Sequence, residues 1–228
     1  MQGKLAEVAG RLLRRKDRDT RPASRDQSAS FDFGSIFRGH HKITYRGVRT
    51  LKCPFDYVIY QMLLCALLPD LVIEIGTNDG GGAFYLADLM ETIGHGTVHT
   101  IDIKKQSDDL LWSHPRIRLF IEGWENYDLK EAAGHERVLV IEDASHIYED
   151  TLQAMRKFAP VVSVGSYLIV EDGIISELGM ADEYHGGPLK AIDEFLGSTD
   201  GFEIDRSFCD MFGSNATFNV NGYLKRVS

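Results

Sequence analysis

The chain has 228 residues, of which 43% are hydrophobic, and its formal net charge is -9 at pH 7. This length suits one domain with an appendage, and the hydrophobic content is enough for a sizeable core. The acidic balance argues against broad nucleic-acid binding by the folded body. The three cysteines are widely spaced and form no CxxC pair, so we expect reduced thiols in a cytoplasmic protein.

The first 25 residues are basic, with eight Lys or Arg against three Asp or Glu. No secretory h-region follows them, and no run reaches the roughly 18 apolar residues that a membrane span needs. We interpret 1–35 as a basic, flexible segment and a polar linker, and 36–70 as a helical or lid region before a main domain over 71–228. The basic part is either a solvated tail or a helix that rests on an anionic surface or a partner subunit.

After a mostly apolar helix at 55–68, short β-rich segments alternate with helical ones. Strands are predicted at 71–76, 97–103, 117–123, 137–143, 167–172, 202–206 and 222–227, and helices at 82–93, 127–134, 148–158 and 187–197. The alternation predicts an α/β fold with a Rossmann-like, mostly parallel sheet, helices on both faces and a terminal antiparallel strand pair. Ligands of such sheets bind outside the carboxyl ends of the strands.

The first predicted strand ends in an acid and a glycine-rich loop, 74-EIGTNDGGG-82. The loop matches neither the G-x-G-x-x-G fingerprint nor the P-loop. Glycines allow backbone to lie close to a ligand, and Glu74 can receive an ammonium or position the loop amides. We therefore favour a zwitterionic ligand such as S-adenosylmethionine (SAM), although a tight turn is the structural alternative. The candidate cofactor-binding residues here are Glu74, Gly76, Thr77, Asn78 and Gly80.

An acid also ends the second predicted strand. Asp102 can accept hydrogen bonds from both ribose hydroxyls of an adenosine, which would suit NAD as well as SAM. Its structural alternative is to cap the next turn. Trp124, after the third strand, either stacks on adenine or belongs to the core. Four earlier aromatic residues either form a substrate wall or pack in the core: Tyr45, Phe55, Tyr57 and Tyr60.

Three carboxylates follow the next two strands, with Asp143 at one tip and Glu171 and Asp172 at the other. Their charges would repel each other unless a cation lay among them, and hard oxygen ligands suit Mg²⁺ or Mn²⁺. The alternative is that one acid faces solvent and the others cap helices. His146 lies just beyond Asp143 and is either a proton acceptor or an orienting residue at a helix start.

The motifs together resemble the cephalosporin hydroxylase/rhamnosyl O-methyltransferase family, whose members are SAM-dependent methyltransferases despite the first half of the name. The resemblance runs from Tyr45 to Arg226. Its landmarks are 45-YRGVRTLKCPFDYVIYQ-61, 74-EIGTNDGGG-82, 143-DASH-146, 169-IVEDG-173, 187-GPLKAIDEFL-196 and 215-NATFNVNGYLKRV-227.

The resemblance implies that Asp143, Glu171 and Asp172 bind Mg²⁺, and that Asp143 borders the SAM site lined by Glu74, Gly76 and Asp102. His146 would assist proton removal, with Asp143 as the alternative base. The expected activity is O-methylation of a sugar or natural-product acceptor whose two adjacent oxygens chelate the ion. A homo-oligomer is also implied.

Two rival classes remain at this point. A nicotinamide-dependent oxidoreductase is disfavoured by the missing G-x-G-x-x-G fingerprint and by the acid cluster, whose negative charge would repel a pyrophosphate. A non-catalytic accessory subunit is disfavoured because a protein without the activity would have no reason to keep acids that repel each other.

Overall fold

The computed structural model describes residues 32–104 and 112–228, so the basic segment at 1–25 and most of the predicted linker lie outside the described residues. The strands are β1 (Thr44–Tyr45), β2 (Val48–Arg49), β3 (Leu71–Ile75), β4 (Thr97–Ile101), β5 (Ile117–Phe120), β6 (Val138–Glu142), β7 (Tyr167–Val170), β8 (Phe202–Ile204) and β9 (Tyr223–Arg226). The α-helices are α1 (Phe33–His40), α2 (Pro54–Leu67), α3 (Gly81–Ile93), α4 (Tyr148–Phe158), α5 (Gly187–Gly197) and α6 (Arg206–Cys209).

Seven strands form the main sheet in the order β5-β4-β3-β6-β7-β9-β8. The pairs β5–β4, β4–β3, β3–β6 and β6–β7 are parallel, while β9 runs antiparallel to both β7 and β8. The predicted Rossmann-like sheet with a terminal antiparallel pair is confirmed. Strand order reverses between β3 and β6, and a ligand crevice is expected at the carboxyl ends around this point.

Alternate residues of the central strands point to the two faces of the sheet, as strand geometry requires. Val72 packs with buried residues of α2 and α3, whereas Leu71 and Ile73 pack with α4 and α5. All five residues of β3 and all five of β6 are buried, which explains why each strand is apolar except for one glutamate. Helices on both faces therefore fix these two strands at the centre.

Two predicted elements differ from the structure. Instead of a helix at 127–134 there are two short 3₁₀ turns, Trp124–Asn126 and Leu129–Ala132. Asp128 caps the second turn through the amide of Lys130, and the turn ends at once in extended Ala133, which leaves no room for an α-helix. The predicted linker extended to residue 35, but α1 already begins at Phe33, where Asp32 caps it.

The remaining long elements agree closely with the prediction, and α4 and α5 have the predicted bounds. The strands end slightly earlier than predicted, so the acids expected inside strand tips lie in the loops that follow. Among the described residues, no helix is long and apolar enough to cross a membrane.

Candidate active site

The loop after β3 depends on glycine for a close approach between two strand ends. Gly76 has φ +101, and a Cβ there would lie 1.9 Å from the carbonyl oxygen of Asp143. No other residue could therefore bring the end of β3 so near to the end of β6. Gly80 also has a left-handed backbone and caps the N-terminus of α3.

Glu74 lies beneath this loop rather than in the open cavity. Its side chain is buried and accepts a hydrogen bond from the hydroxyl of Thr100 at 2.7 Å, and Thr100 also contacts the hydroxyl of Thr77 at 2.7 Å. Burial raises the pKa of Glu74 to about 7, although nearby Lys52 opposes the shift. A Cβ on Gly82 would lie 2.5 Å from the Glu74 carboxylate, so the acid supports the glycine loop from below.

Asp102 joins the loops that follow β3 and β4. Its carboxylate accepts hydrogen bonds from the backbone amides of Asn78 at 2.9 Å and Ile103 at 2.7 Å. It also lines a cavity of about 720 Å³, together with Gly76, Asn78 and Trp124. Asp102 therefore both caps the turn that follows β4 and borders a space large enough for a ligand.

The carboxylates after β6 and β7 converge as predicted, and a lysine lies among them. The ammonium of Lys52 is 2.9 Å from Asp143 Oδ2 and 2.5 Å from Glu171 Oε1. The hydroxyl of Tyr60 donates to Glu171 Oε1 at 2.6 Å. Glu171 is almost fully buried against Lys52 and Tyr60, whereas Asp143 and Asp172 line the cavity.

His146 completes the part of the cluster that faces the cavity. Its Nε2 lies 3.2 Å from Asp172 Oδ2 and 4.0 Å from Asp143 Oδ1. One ligand atom from each of the three residues lies within 4.8 Å of the others. Two carboxylate oxygens and an imidazole nitrogen at this spacing fit a divalent ion. Glu171, the third predicted oxygen ligand, lies deeper and faces Lys52 instead.

The local backbone and charges in this cluster are unusual. His146 and Asp172 both have left-handed backbones, with φ of 60 and 58, and such strain concentrates at functional sites. Burial raises the pKa of Asp172, with the His146 charge opposing. Burial lowers the pKa of His146, but the charges of Asp172 and Asp143 outweigh it, so the net shift is upward. The two carboxylates therefore favour proton uptake by this imidazole, which suits a group that accepts a proton.

The far wall of the cavity comes from residues that no sequence motif indicated. Phe37 and His41 reach it from the α1 end, and Met180 and Tyr184 reach it from the segment before α5. The Tyr184 ring lies 6.1 Å from the His146 ring between centroids. The aromatic residues considered as a substrate wall, Tyr45, Phe55, Tyr57 and Tyr60, are not among the residues that line this cavity.

Lys52 was also missed by the sequence analysis. It stands inside the quoted motif at 45–61, yet its partners Asp143 and Glu171 are 91 and 119 residues away along the chain. No local pattern predicts a contact at that separation. A lysine in the segment before a buried helix is more often a surface residue, because an ammonium is rarely buried without partners.

Known proteins share sequence and fold with this chain. The family model for rhamnosyl O-methyltransferase/CmcI matches residues 38–227. The chain belongs to this family. It is accordingly a SAM-dependent O-methyltransferase, as the resemblance implied. A rhamnosyl O-methyltransferase of Mycobacterium leprae (strain TN) is 31% identical over 192 residues, covering 80% of this chain and 82% of that protein. A rhamnosyl O-methyltransferase of Mycobacterium bovis (strain BCG / Pasteur 1173P2) is 33% identical over 168 residues, covering 68% of this chain and 66% of that protein.

Solved structures of the family share the fold. A structure of CmcI with SAH has a TM-score of 0.66 and 23% identity, covering 91% of this chain and 95% of that chain. A structure of CmcI with Mg and SAM has a TM-score of 0.61 and 25% identity, covering 91% of this chain and 87% of that chain. The Rossmann-like methyltransferase architecture is therefore common to these family members.

Proposed function

We propose that this protein methylates a hydroxyl group of a sugar or glycosylated acceptor, with SAM as methyl donor and a divalent ion, Mg²⁺ or Mn²⁺, in the acid cluster. The observation that carries the proposal is the single cavity of about 720 Å³ that Asp102 lines together with Asp143, His146 and Asp172. The residues proposed to bind the cofactor and those proposed to bind the metal therefore line the same cavity. The names of the mycobacterial relatives and the Mg and SAM of the CmcI structure support the same assignment.

The cofactor half would be held by the loops after β3 and β4. Asp102 would accept hydrogen bonds from the ribose hydroxyls, and Trp124 would lie against the adenine. Glu74 would act mainly by holding the glycine loop in place, because its carboxylate is buried beneath that loop. Gly76 borders both this half and Asp143, so the methyl donor would end close to the acid cluster. The remaining loop residues proposed to contact SAM are Thr77, Asn78 and Gly80.

Asp143 and Asp172 would hold the ion at the cavity, and Glu171 would join them as the third oxygen ligand by giving up its contact with Lys52. All three supply the hard oxygen atoms that Mg²⁺ prefers. His146 would border it, because its Nε2 lies 3.2 Å from Asp172. When bound, such an ion lowers the pKa of a nearby hydroxyl and offsets the negative charge of the acids. The residues that bind it therefore also determine where the acceptor hydroxyl is placed.

His146 would accept the proton of the acceptor hydroxyl. Asp172 orients its imidazole, and the carboxylates on either side stabilise the imidazolium that proton transfer creates. Asp143 is the alternative base. Most of the rate enhancement would come from positioning the acceptor oxygen in line with the methyl group and from charge neutralisation.

The acceptor would occupy the end of the cavity formed by α1 and the segment before α5. Phe37 and Tyr184 present aromatic surface there, while His41 and the acid cluster supply polar groups. Mostly apolar walls with a few placed polar groups are typical of small-ligand sites. A sugar ring with two adjacent hydroxyls, a vicinal diol, fits this division between aromatic walls and a charged end.

The test is methyl transfer from labelled SAM to a rhamnosyl acceptor that carries a vicinal diol. We expect product with Mg²⁺ or Mn²⁺, loss of product in EDTA, and recovery when the metal is restored. Calorimetry should show binding of SAM and not of NAD. Full activity in excess chelator would contradict the metal role, whereas absence of SAM binding would overturn the whole proposal. Light scattering tests the homo-oligomer that the family resemblance implies.

A further inference from the structure

Lys52 brings a full positive charge into the acid cluster from outside the main sheet. It lies between β2 and α2, and only 3% of its surface is exposed. Its ammonium contacts Asp143 Oδ2 at 2.9 Å and Glu171 Oε1 at 2.5 Å. The Tyr60 ring lies 5.7 Å from the ammonium and adds a cation–π contact.

The ammonium is held in its charged form. Burial alone disfavours an ammonium, but Lys52 has a carboxylate oxygen of Asp143 at 2.9 Å and one of Glu171 at 2.5 Å, which favour the charged form. A buried lysine without such partners would lose its proton instead. The carboxylates and the ammonium therefore compensate each other, and the cluster has a resident cation of its own.

We propose that Lys52 is the resident counter-cation of the acid cluster and sets its affinity for the divalent ion by sharing Asp143 and Glu171 with that ion. This inference rests on the proposed function, because it concerns the metal assigned there. Lys52 keeps the two carboxylates together when no metal is bound. An entering ion must compete with the ammonium for these oxygens, and the two positive charges repel each other across a few ångströms.

The consequence is a metal that binds weakly and exchanges readily. Removal of the positive charge should strengthen binding, because both carboxylates would then be available and the repulsion would disappear. At an effective dielectric constant of about 20, a unit charge a few ångströms away alters divalent affinity by well over tenfold. We therefore expect a gain of at least about tenfold in a variant without the charge.

The experiment measures Mn²⁺ binding to the full chain by electron paramagnetic resonance, in the absence of SAM and acceptor. Lys52→Met removes the charge with similar side-chain length, and Lys52→Arg keeps the charge. Tyr60→Phe is the matched control, because it removes the other side-chain contact to Glu171 Oε1 without changing any charge. We expect about tenfold or tighter binding in Lys52→Met only, and values within about threefold of wild type in the other two.

An unchanged or weaker Mn²⁺ affinity in Lys52→Met would overturn the inference while the metal binding of the wild-type protein still supports the proposed function. If neither protein binds Mn²⁺, the metal role and the inference both fail. Methyl transfer by the wild-type protein, measured beside these titrations, tests the proposed activity separately.

A second measurement protects the test against misfolding, because Lys52→Met leaves buried Glu171 and half-buried Asp143 without a counter-charge. The ammonium of Lys52 can be observed in the wild-type protein by NMR after labelling with ¹⁵N-lysine. A titration with Mg²⁺ should shift this buried ammonium signal as the ion takes over Asp143 and Glu171. A signal that does not respond at saturating Mg²⁺ would show that ion and lysine do not share these carboxylates.

Discussion

The two halves of the cavity are built in different ways. In the cofactor half, Asp102 is satisfied by the backbone amides of Asn78 and Ile103, and Glu74 by a hydroxyl on the neighbouring strand. In the acid half, the carboxylates are balanced by Lys52 and the buried hydroxyl of Tyr60.

This difference indicates how each half should respond to perturbation. Backbone amides and hydroxyls are dipoles that the fold itself fixes, so the cofactor half is organised without any added ion. The acid half holds several ionised groups at close range, so its state depends on metal and on proton binding. Substitutions in the two halves should therefore separate cofactor affinity from turnover.

The largest effect is expected in the acid half. Asp172→Asn should lower turnover by roughly 10⁴-fold, because loss of a metal ligand removes several kcal/mol of charge stabilisation. SAM affinity should stay within a few-fold of wild type, since Asp172 follows β7 and is not part of the β3 and β4 loops proposed to hold the cofactor. Steady-state kinetics and calorimetry on the same sample check both parts. Turnover near the wild-type level with Mg²⁺ present would contradict the metal assignment.

His146→Ala should have the next largest effect. A positioned general base contributes about 10²–10⁴-fold, and Asp143 can replace part of its role, so we expect a loss of about 10²–10³-fold in kcat. Binding of SAM should not change. A matched control is His185→Ala, because His185 is exposed and contacts Glu149 on the surface. Equal activity of the two variants would exclude His146 as the base.

Asp102→Ala tests the cofactor half by itself. Loss of hydrogen bonds to a charged acceptor should weaken SAM binding by roughly 1.5–3 kcal/mol. At saturating SAM the turnover should remain close to that of wild type, because Asp102 hydrogen-bonds the amides of Asn78 and Ile103 rather than residues of the acid cluster. Calorimetry gives the affinity and kinetics gives the turnover. A large fall in turnover with unchanged affinity would reverse the roles assigned to the two halves.

The smallest effect concerns the stability of the fold and a buried acid that does not line the cavity. Asp56 is fully buried, accepts from the hydroxyls of Thr217 and Tyr223, and has a pKa that burial raises to about 7. Because the folded pKa lies above the unfolded value, this group stabilises the fold below about pH 4, and that contribution is lost as the pH rises through 7.

Asp56→Asn removes this titration. The variant should be less stable than wild type at pH 5 by about 1–3 kcal/mol. Only one of the two terminal atoms of an amide side chain can accept a hydrogen bond, whereas both oxygens of a carboxyl group can. The gap should narrow by pH 8, where the wild-type carboxylate has become ionised. Denaturant unfolding at the two pH values, with EDTA present, measures the change. A gap that widens with rising pH would show that Asp56 is ionised throughout.

Local sequence patterns predicted the sheet and the positions of the acids. Alternation of β-rich and helical segments is a local property, and parallel strands must bring their carboxyl ends to one edge. That rule predicts the convergence of Asp143 with Asp172. The glycine loop was also recognisable, because the spacing of its glycines is a local pattern.

The groups that neutralise the acids and the residues of the proposed acceptor wall are apparent only from contacts in the folded chain. Lys52 and Tyr60 reach Glu171 across 119 and 111 residues, and Phe37 and Tyr184 meet across one cavity from opposite parts of the chain. Such contacts depend on how helices dock on the sheet, which no periodicity encodes. A buried charge is recognisable as part of a site only once its partner is in place.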